Sequence, residues 1–351
     1  MSLAFRLKMA KQKGEAFLRD EGITALPVDP FAIAASRDIE IKAKPDTAGG
    51  VSGMLLRNGN NFGIVYATHI KSEGFQRFSV GHELGHFFLD GHIDHILPED
   101  GIHTSHAGFV SGDPYELEAD HFAAGLLMPE SLFKRALVKL DPGLAAVESM
   151  ATLCKTSLTA TGIRCAELSD RAVAVIISTG QTIDYCFMSD VIKSLPELNW
   201  LRKGSAVPPA TATSAFNKNA GNVRDGRREA ADVDALDWLG GKRSVILSEE
   251  IVGLGSYGKT MTVLSSGNLG GDDGQVRAGL GHLGAQGAAG LGQLGQRRPG
   301  DAAVFDQAVE RELGGGHRCL DPVHVLLVEL HVLDHGLDGG GRPVQRLEHR
   351  P

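Results

Sequence analysis

Cysteine is scarce in this 351-residue chain. There are four, Cys154, Cys165, Cys186 and Cys319, and no two stand in a CxxC pair. That excludes a disulfide-built scaffold and a thiolate metal site, and it fits a reducing, cytoplasmic setting. Long apolar runs are missing as well. None approaches the roughly 20 residues that cross a bilayer, so no membrane partner is expected. The first segment, MSLAFRLKMAKQKGEAF, lacks the apolar stretch of a secretory signal. Positive charge is in deficit: 35 Lys and Arg against 43 Asp and Glu leave a net charge of −8. A chain-wide nucleic-acid footprint is thereby excluded, and the one loose basic stretch runs from Arg202 to Arg228. Aromatic residues make up only 6% of the chain, yet 42% is hydrophobic and 22% charged, which is enough for an ordinary globular core. The length predicts two or three domains.

Periodicity gives the element order. Residues 5–22 read as an amphipathic helix, and ProValAspPro at 27–30 ends it before a short helix at 31–35. Strands are predicted at 39–43, 53–57 and 62–67. The last two are joined by AsnGlyAsnAsn at 58–61, a hairpin signal. A helix at 75–89 follows, then a loop rich in His, Asp and Gly from Asp90 to Pro114, then a helix at 115–127. Helices at 144–154 and 158–168 flank LysThrSer. Strands are expected at 172–178 and 182–188, and a polar segment leads to a last ordered stretch ending near Leu264.

Beyond about Gly267 the chain contains no Lys, Ile, Ser, Thr, Met, Tyr or Trp, and Gly makes up roughly a fifth. A core needs patterned β-branched and aromatic residues. The expectation is a low-complexity tail at 267–351, either disordered or translated out of frame. The other expected units are 1–140, a helical element at 141–170, and an α+β region at 171–266.

The chemistry gathers in HELGH at 82–86, an HExxH motif. Residues i and i+4 lie about 40° apart around a helix, so His82 and His86 present both rings to one ion. Glu83 is about 100° away, beside the metal rather than on it, where it can take a proton from metal-activated water. For the third ligand, three residues compete. Glu116 and Asp120 in YELEADHFAA share a helix face: Glu116 completes a His2Glu site while Asp120 accepts the free N–H of a ligand histidine. Glu118, expected on the other side of that helix, is the second choice. His92, ten residues after His82, has metzincin spacing, but Leu89 stands where that pattern needs Gly. His92, His95, His103 and His106 are expected to line a solvated loop. Tyr115, His103, His106 and His121 are oxyanion-donor candidates by type. The 144–168 helix pair has the outline of a DNA-reading motif, but its second helix offers only Arg164 at 158–167, so packing is the expected role.

HELGHFFLDGH followed by YELEADHFAAGLLMP resembles the ImmA/IrrE family of metallopeptidases, minimal gluzincin-like enzymes, with the likeness running over about residues 10–170. The resemblance implies Zn²⁺ held by His82, His86 and Glu116, Glu83 as general base, and Asp120 behind the ligands. It also implies that the strand near Phe62–Ala67 aligns an extended peptide by β-addition. A helix-turn-helix-like segment and a C-terminal sensor-like region belong to longer family members, and 144–168 and 171–264 are the matching segments here. The expected fold is therefore α+β: a small gluzincin-like zinc-peptidase domain, with a short sheet, an HExxH helix and a Glu-bearing helix, then a helical element and a second α+β region. The expected function is zinc-dependent endopeptidase action on a protein substrate, a DNA-binding transcriptional repressor, in stress response or mobile-element regulation. Direct nucleic-acid binding is not expected. The alternative is a non-catalytic regulatory protein with a structural or vestigial zinc site.

Overall fold

The computed structural model describes residues 2–45, 51–97, 101–106 and 113–270. The fold is mixed α+β. The first part runs α1 (Leu3–Asp20), α2 (Pro30–Ala35), β1 (Glu40–Lys44), β2 (Val51–Asn58), β3 (Asn61–Ala67), α3 (Glu73–Phe88), α4 (His92–Ile96), β4 (Gly101–His106) and α5 (Pro114–Leu127). Its sheet has the order β1-β3-β2-β4, with β1 parallel to β3 and the other pairs antiparallel. The hairpin predicted at 58–61 is present: Asn58 pairs with Asn61, and Gly59 takes the positive φ of 59° that the tight turn needs. Helix α3 begins where Ser72 accepts a hydrogen bond from the Phe75 N–H, and α5 where Asp113 caps Tyr115 with Pro114 in the first turn. Leu55 and Ile64 of the sheet, Val80 and Leu84 of α3, Phe122 and Leu126 of α5 and Leu18 of α1 share one buried core.

Two expectations change here. The stretch from Asp90 to Pro114 is not a plain loop, because it holds α4 and the strand β4, which pairs with β2. GIHTSH has polar residues in both phases of a strand and leaves Ile102 exposed, so its pairing comes from tertiary context and not from pattern. The strand near Phe62–Ala67, β3, lies between β1 and β2, paired on both sides. It has no free edge to receive a peptide. The edges of this sheet, among the described residues, are β1 and β4.

The chain continues through α6 (Glu130–Leu137), α7 (Leu144–Cys154), α8 (Leu158–Leu168), β5 (Arg171–Thr179), β6 (Thr182–Met188), α9 (Asp190–Lys193), α10 (Ala212–Asn217), α11 (Ala220–Arg224), β7 (Arg228–Asp234), α12 (Ala235–Leu239), β8 (Ile246–Gly253) and β9 (Thr260–Gly270). Strands β5 to β9 form an antiparallel sheet of order β6-β5-β9-β8-β7. The run AlaValAlaValIleIle fits β5 because this strand is buried on both faces. Val173, Val175 and Ile177 pack with Val147, Met150 and Ile163 of α7 and α8; Ala172, Ala174 and Ile176 pack with Ile192, Trp238 and Leu239. The polar β7, REAADVD, has no such signal. Arg164 on α8 is buried and reaches Glu15 at 3.0 Å and the Met128 carbonyl at 3.1 Å, so it is not available to DNA. Strand β9 runs three residues past Gly267 and buries Leu269. The rest of the expected tail, 271–351, lies outside the described residues. Among those described, no helix is long and apolar enough to cross a membrane.

Candidate metal centre

The helix bearing HELGH meets α5 across small residues. A Cβ added to Gly85, the fourth residue of the motif, would stand 2.9 Å from Cα of Ala119, closer than real Cβ contacts come. Glycine there lets the two backbones nearly touch. Nε2 of His82 lies 3.0 Å from Nε2 of His86 one turn on, and the crossing brings Oε2 of Glu116 to 3.3 Å from the first and Oε1 to 3.3 Å from the second. Among the described residues these three offer ligand atoms within 4.8 Å of one another. Two ligands bound to one tetrahedral zinc at 2.0–2.1 Å stand about 3.3 Å apart, so the spacing suits such an ion.

The buried ring nitrogens on the far sides of both histidines are also spoken for. Nδ1 of His82 lies 2.7 Å from Oδ1 of the buried Asp120, and Nδ1 of His86 lies 3.1 Å from Nδ1 of His92. An N–H donated from each Nδ1 leaves both Nε2 lone pairs pointing into the cluster. Lone pairs 3.0 Å apart repel unless positive charge sits between or beside them. A proton on His82 or a metal ion supplies that charge. Burial alone would lower the His82 imidazole, yet the Asp120 and Glu116 carboxylates hold it well above its ordinary value. Burial drives His86 down to about 3, so it stays neutral. Burial would raise Glu116, but the neighbouring imidazoles of His103, His82 and His86 outweigh it and keep the group far below the usual carboxylate range. Two imidazoles with one carboxylate are a donor set that suits Zn²⁺.

Glu83 is fully buried, and among the described residues neither of its carboxylate oxygens has a partner within hydrogen-bonding distance. Burial pushes its carboxyl up to about 7, against the pull of His82, Ser105 and His103. Gly53 of β2 roofs it: a Cβ there would lie 2.4 Å from Oε1 of Glu83.

The other sequence candidates separate cleanly. His103, on β4, places Nε2 2.9 Å from Oε1 of Glu116 and its ring 4.8 Å from that of His86. It stands at the cluster. Tyr115 stacks on His95 with ring centroids 3.9 Å apart and meets the edge of His92 at 4.9 Å. His121 is buried on α5. The side chain of His106 lies outside the described residues. The expected solvated loop of histidines is corrected. His92 does not line a solvated loop: it is buried behind His86, because α3 ends at Phe88 and Gly91, with a φ of 79°, turns the chain into α4. It therefore faces Nδ1 of His86 and not the ligand cluster. Glu118 is also buried; it is 2.9 Å from Nε2 of His92 and is ion-paired with Arg6 of α1. Arg6, Ser105 and Gly53 carried no signal in the sequence, since each reaches the site from an element distant along the chain.

Residues 34–165 match the family described as the IrrE N-terminal-like domain, a peptidase family. Among solved structures the chain is similar to a Mycobacterium tuberculosis transcriptional regulator, at 12% identity and a TM-score of 0.46, over 74% of this chain and 76% of that one. A comparison with curated proteins finds no match. The HELGH helix, the Glu116 helix and the four-stranded sheet all fall within 34–165, the segment similar to the IrrE N-terminal-like peptidase domain.

Proposed function

We propose that this protein is a zinc-dependent endopeptidase that cuts a protein substrate. The observation that carries this reading is Glu83: a carboxylate buried without a partner, held near a pKa of 7, beside three convergent ligand atoms. A structural zinc site closes its coordination with protein and has no use for such a group. His82, His86 and Glu116 would hold the ion, and Asp120 would fix the tautomer of His82. Bound zinc supplies Lewis acidity, polarising the scissile carbonyl and easing ionisation of water. Glu83 would take the proton of the attacking water and pass it to the departing amine. His103, whose Nε2 lies 2.9 Å from Oε1 of Glu116, would be the donor to the developing oxyanion. The edge strand β4, which carries His103, is the natural partner for an extended peptide backbone.

The substrate we favour is a DNA-binding transcriptional repressor, cleaved in stress response or mobile-element control. Residues 1–140 form the peptidase domain on this reading, 141–170 a helical element, and the second α+β region a sensor-like part that governs cleavage. The test is incubation of the purified protein with candidate repressors, with and without chelator, read by intact mass. Chelator-sensitive cleavage at one site supports the endopeptidase. Binding without cleavage at any zinc concentration returns the site to the alternative, a regulatory protein with structural metal.

A further inference from the structure

The two histidines of HELGH are held by different groups. His82 gives its Nδ1 proton to a carboxylate, Asp120, directly. His86 has no carboxylate behind it. Its Nδ1 meets the ring of His92, and only beyond that ring does a carboxylate appear, Glu118, which is itself held by Arg6 from α1. We propose that Arg6, Glu118 and His92 form a positioning relay that sets the tautomer of His86 and so keeps its Nε2 open for the metal. The proposal rests on the metal-centre reading above.

The direction of the relay follows from what each group is able to donate. An ionised carboxylate only accepts, so Nε2 of His92, 2.9 Å from Glu118, must carry the hydrogen. A neutral imidazole has one donor and one acceptor, so Nδ1 of His92 is then the acceptor. The group facing it at 3.1 Å is Nδ1 of His86, which must therefore be the donor. His86 is left with its Nε2 lone pair in the cluster with His82 and Glu116. Reversing the relay closes the site: with His92 turned to donate from Nδ1, His86 would carry its hydrogen on Nε2, pointing at the ion. Glu118 therefore decides the occupant of a site it does not touch. Arg6 matters because it pairs with Glu118 and keeps that carboxylate turned towards His92, and its guanidinium also lies 5.3 Å from the ring centre of Tyr115, which in turn edges onto His92. The arrangement accounts for a second acidic residue buried on α5 outside the ligand set, and for α1 reaching the metal centre at all.

The experiment is zinc affinity of the full chain by competition with a chromogenic chelator, for wild type, His92→Gln, His92→Phe and Arg6→Met. A glutamine amide can accept from Nδ1–H of His86 through its oxygen and donate to Glu118 through its nitrogen, which preserves the polarity. Phenylalanine fills the space and accepts nothing. Removing an outer partner of a ligand histidine typically weakens metal binding about 10- to 100-fold. The relay predicts that His92→Phe falls by about that factor, that Arg6→Met falls by several-fold, and that His92→Gln stays within about threefold of wild type. If His92 serves only as packing, the order inverts: Phe binds like wild type and Gln is the weaker. That inverted order, or equal binding by wild type and His92→Phe, overturns the relay alone. Should His92→Phe fail to fold, Arg6→Met decides, and wild-type affinity there overturns the proposal. A wild-type protein that takes up no zinc overturns the metal-centre reading and the relay with it.

Discussion

A buried carboxylate left without a hydrogen bond costs on the order of 1–3 kcal/mol or more, and a fold keeps such a residue only where something else requires it. Glu83 is that residue here. Glu83→Gln keeps its size and removes its ability to take a proton. The variant should bind zinc like wild type and cut its substrate about 10² to 10⁴ times more slowly. Equal rates for the two proteins would end the general-base assignment. Gly53→Ala tests the same carboxylate from the other side, since the new Cβ would meet Oε1. A displacement on the order of 1 Å is expected to lower turnover about 10²-fold with zinc retained; an Ala variant of wild-type rate would show that Glu83 needs no such confinement. His82→Ala and Glu116→Ala each remove one of three ligand atoms, and both should strip zinc, as metal analysis after dialysis would read. Undiminished zinc in Glu116→Ala would move the third ligand elsewhere. Much of this site was legible in sequence, because HELGH and the pair Glu116–Asp120 are local patterns on single helices. The chain from His86 to Arg6 was not. It depends on the turn at Gly91 and on α1 packing beside α5, and neither has a local signature.

Elements position the site through their closest approaches. HELGH fixes its histidines by helical period, but their distance from Glu116 depends on how near α3 comes to α5, and Gly85 sets that approach. Gly85→Ala leaves the helix propensity better than before and yet places a methyl group against the backbone of Ala119. The expected outcome is a loss of stability of about 1–3 kcal/mol by overpacking, together with weaker zinc binding as the ligands are pushed apart. Denaturant unfolding and chelator competition check the two parts. A variant more stable than wild type would show that the crossing is loose. The helices read at 75–89, 115–127, 144–154 and 158–168 and the strand at 172–178 correspond to α3, α5, α7, α8 and the doubly buried β5. Among the strands, β4 and β7 were missed: they are polar edge strands formed by pairing with a neighbour, and that pairing is invisible to a reading of one segment at a time.

At the scale of the molecule, the question is where the folded body ends. Composition alone draws the line near Gly267, where Ile, Thr and Tyr stop and glycine begins to recur. Packing draws it later. Strand β9 continues to Gly270, pairs Ala172 with Ser266 and Arg171 with Gly270, and buries Leu269 among the residues that cover one face of the second sheet. Burying a leucine side chain stabilises by roughly 1.5–3 kcal/mol, and the last rungs of β9 tie down the start of β5, the strand that both cores share. Two truncations separate these boundaries. A chain ending at Gly270 loses only a segment whose composition lacks the residues to build a core, so its melting temperature and cleavage activity should equal those of the full chain. A chain ending at Leu264 loses Leu269 and those last β5–β9 rungs, and it should melt several degrees lower. A fall of many degrees on cutting after Gly270 would show that residues beyond it pack on the body. No difference between the two truncations would show that the end of β9 adds nothing to the second core.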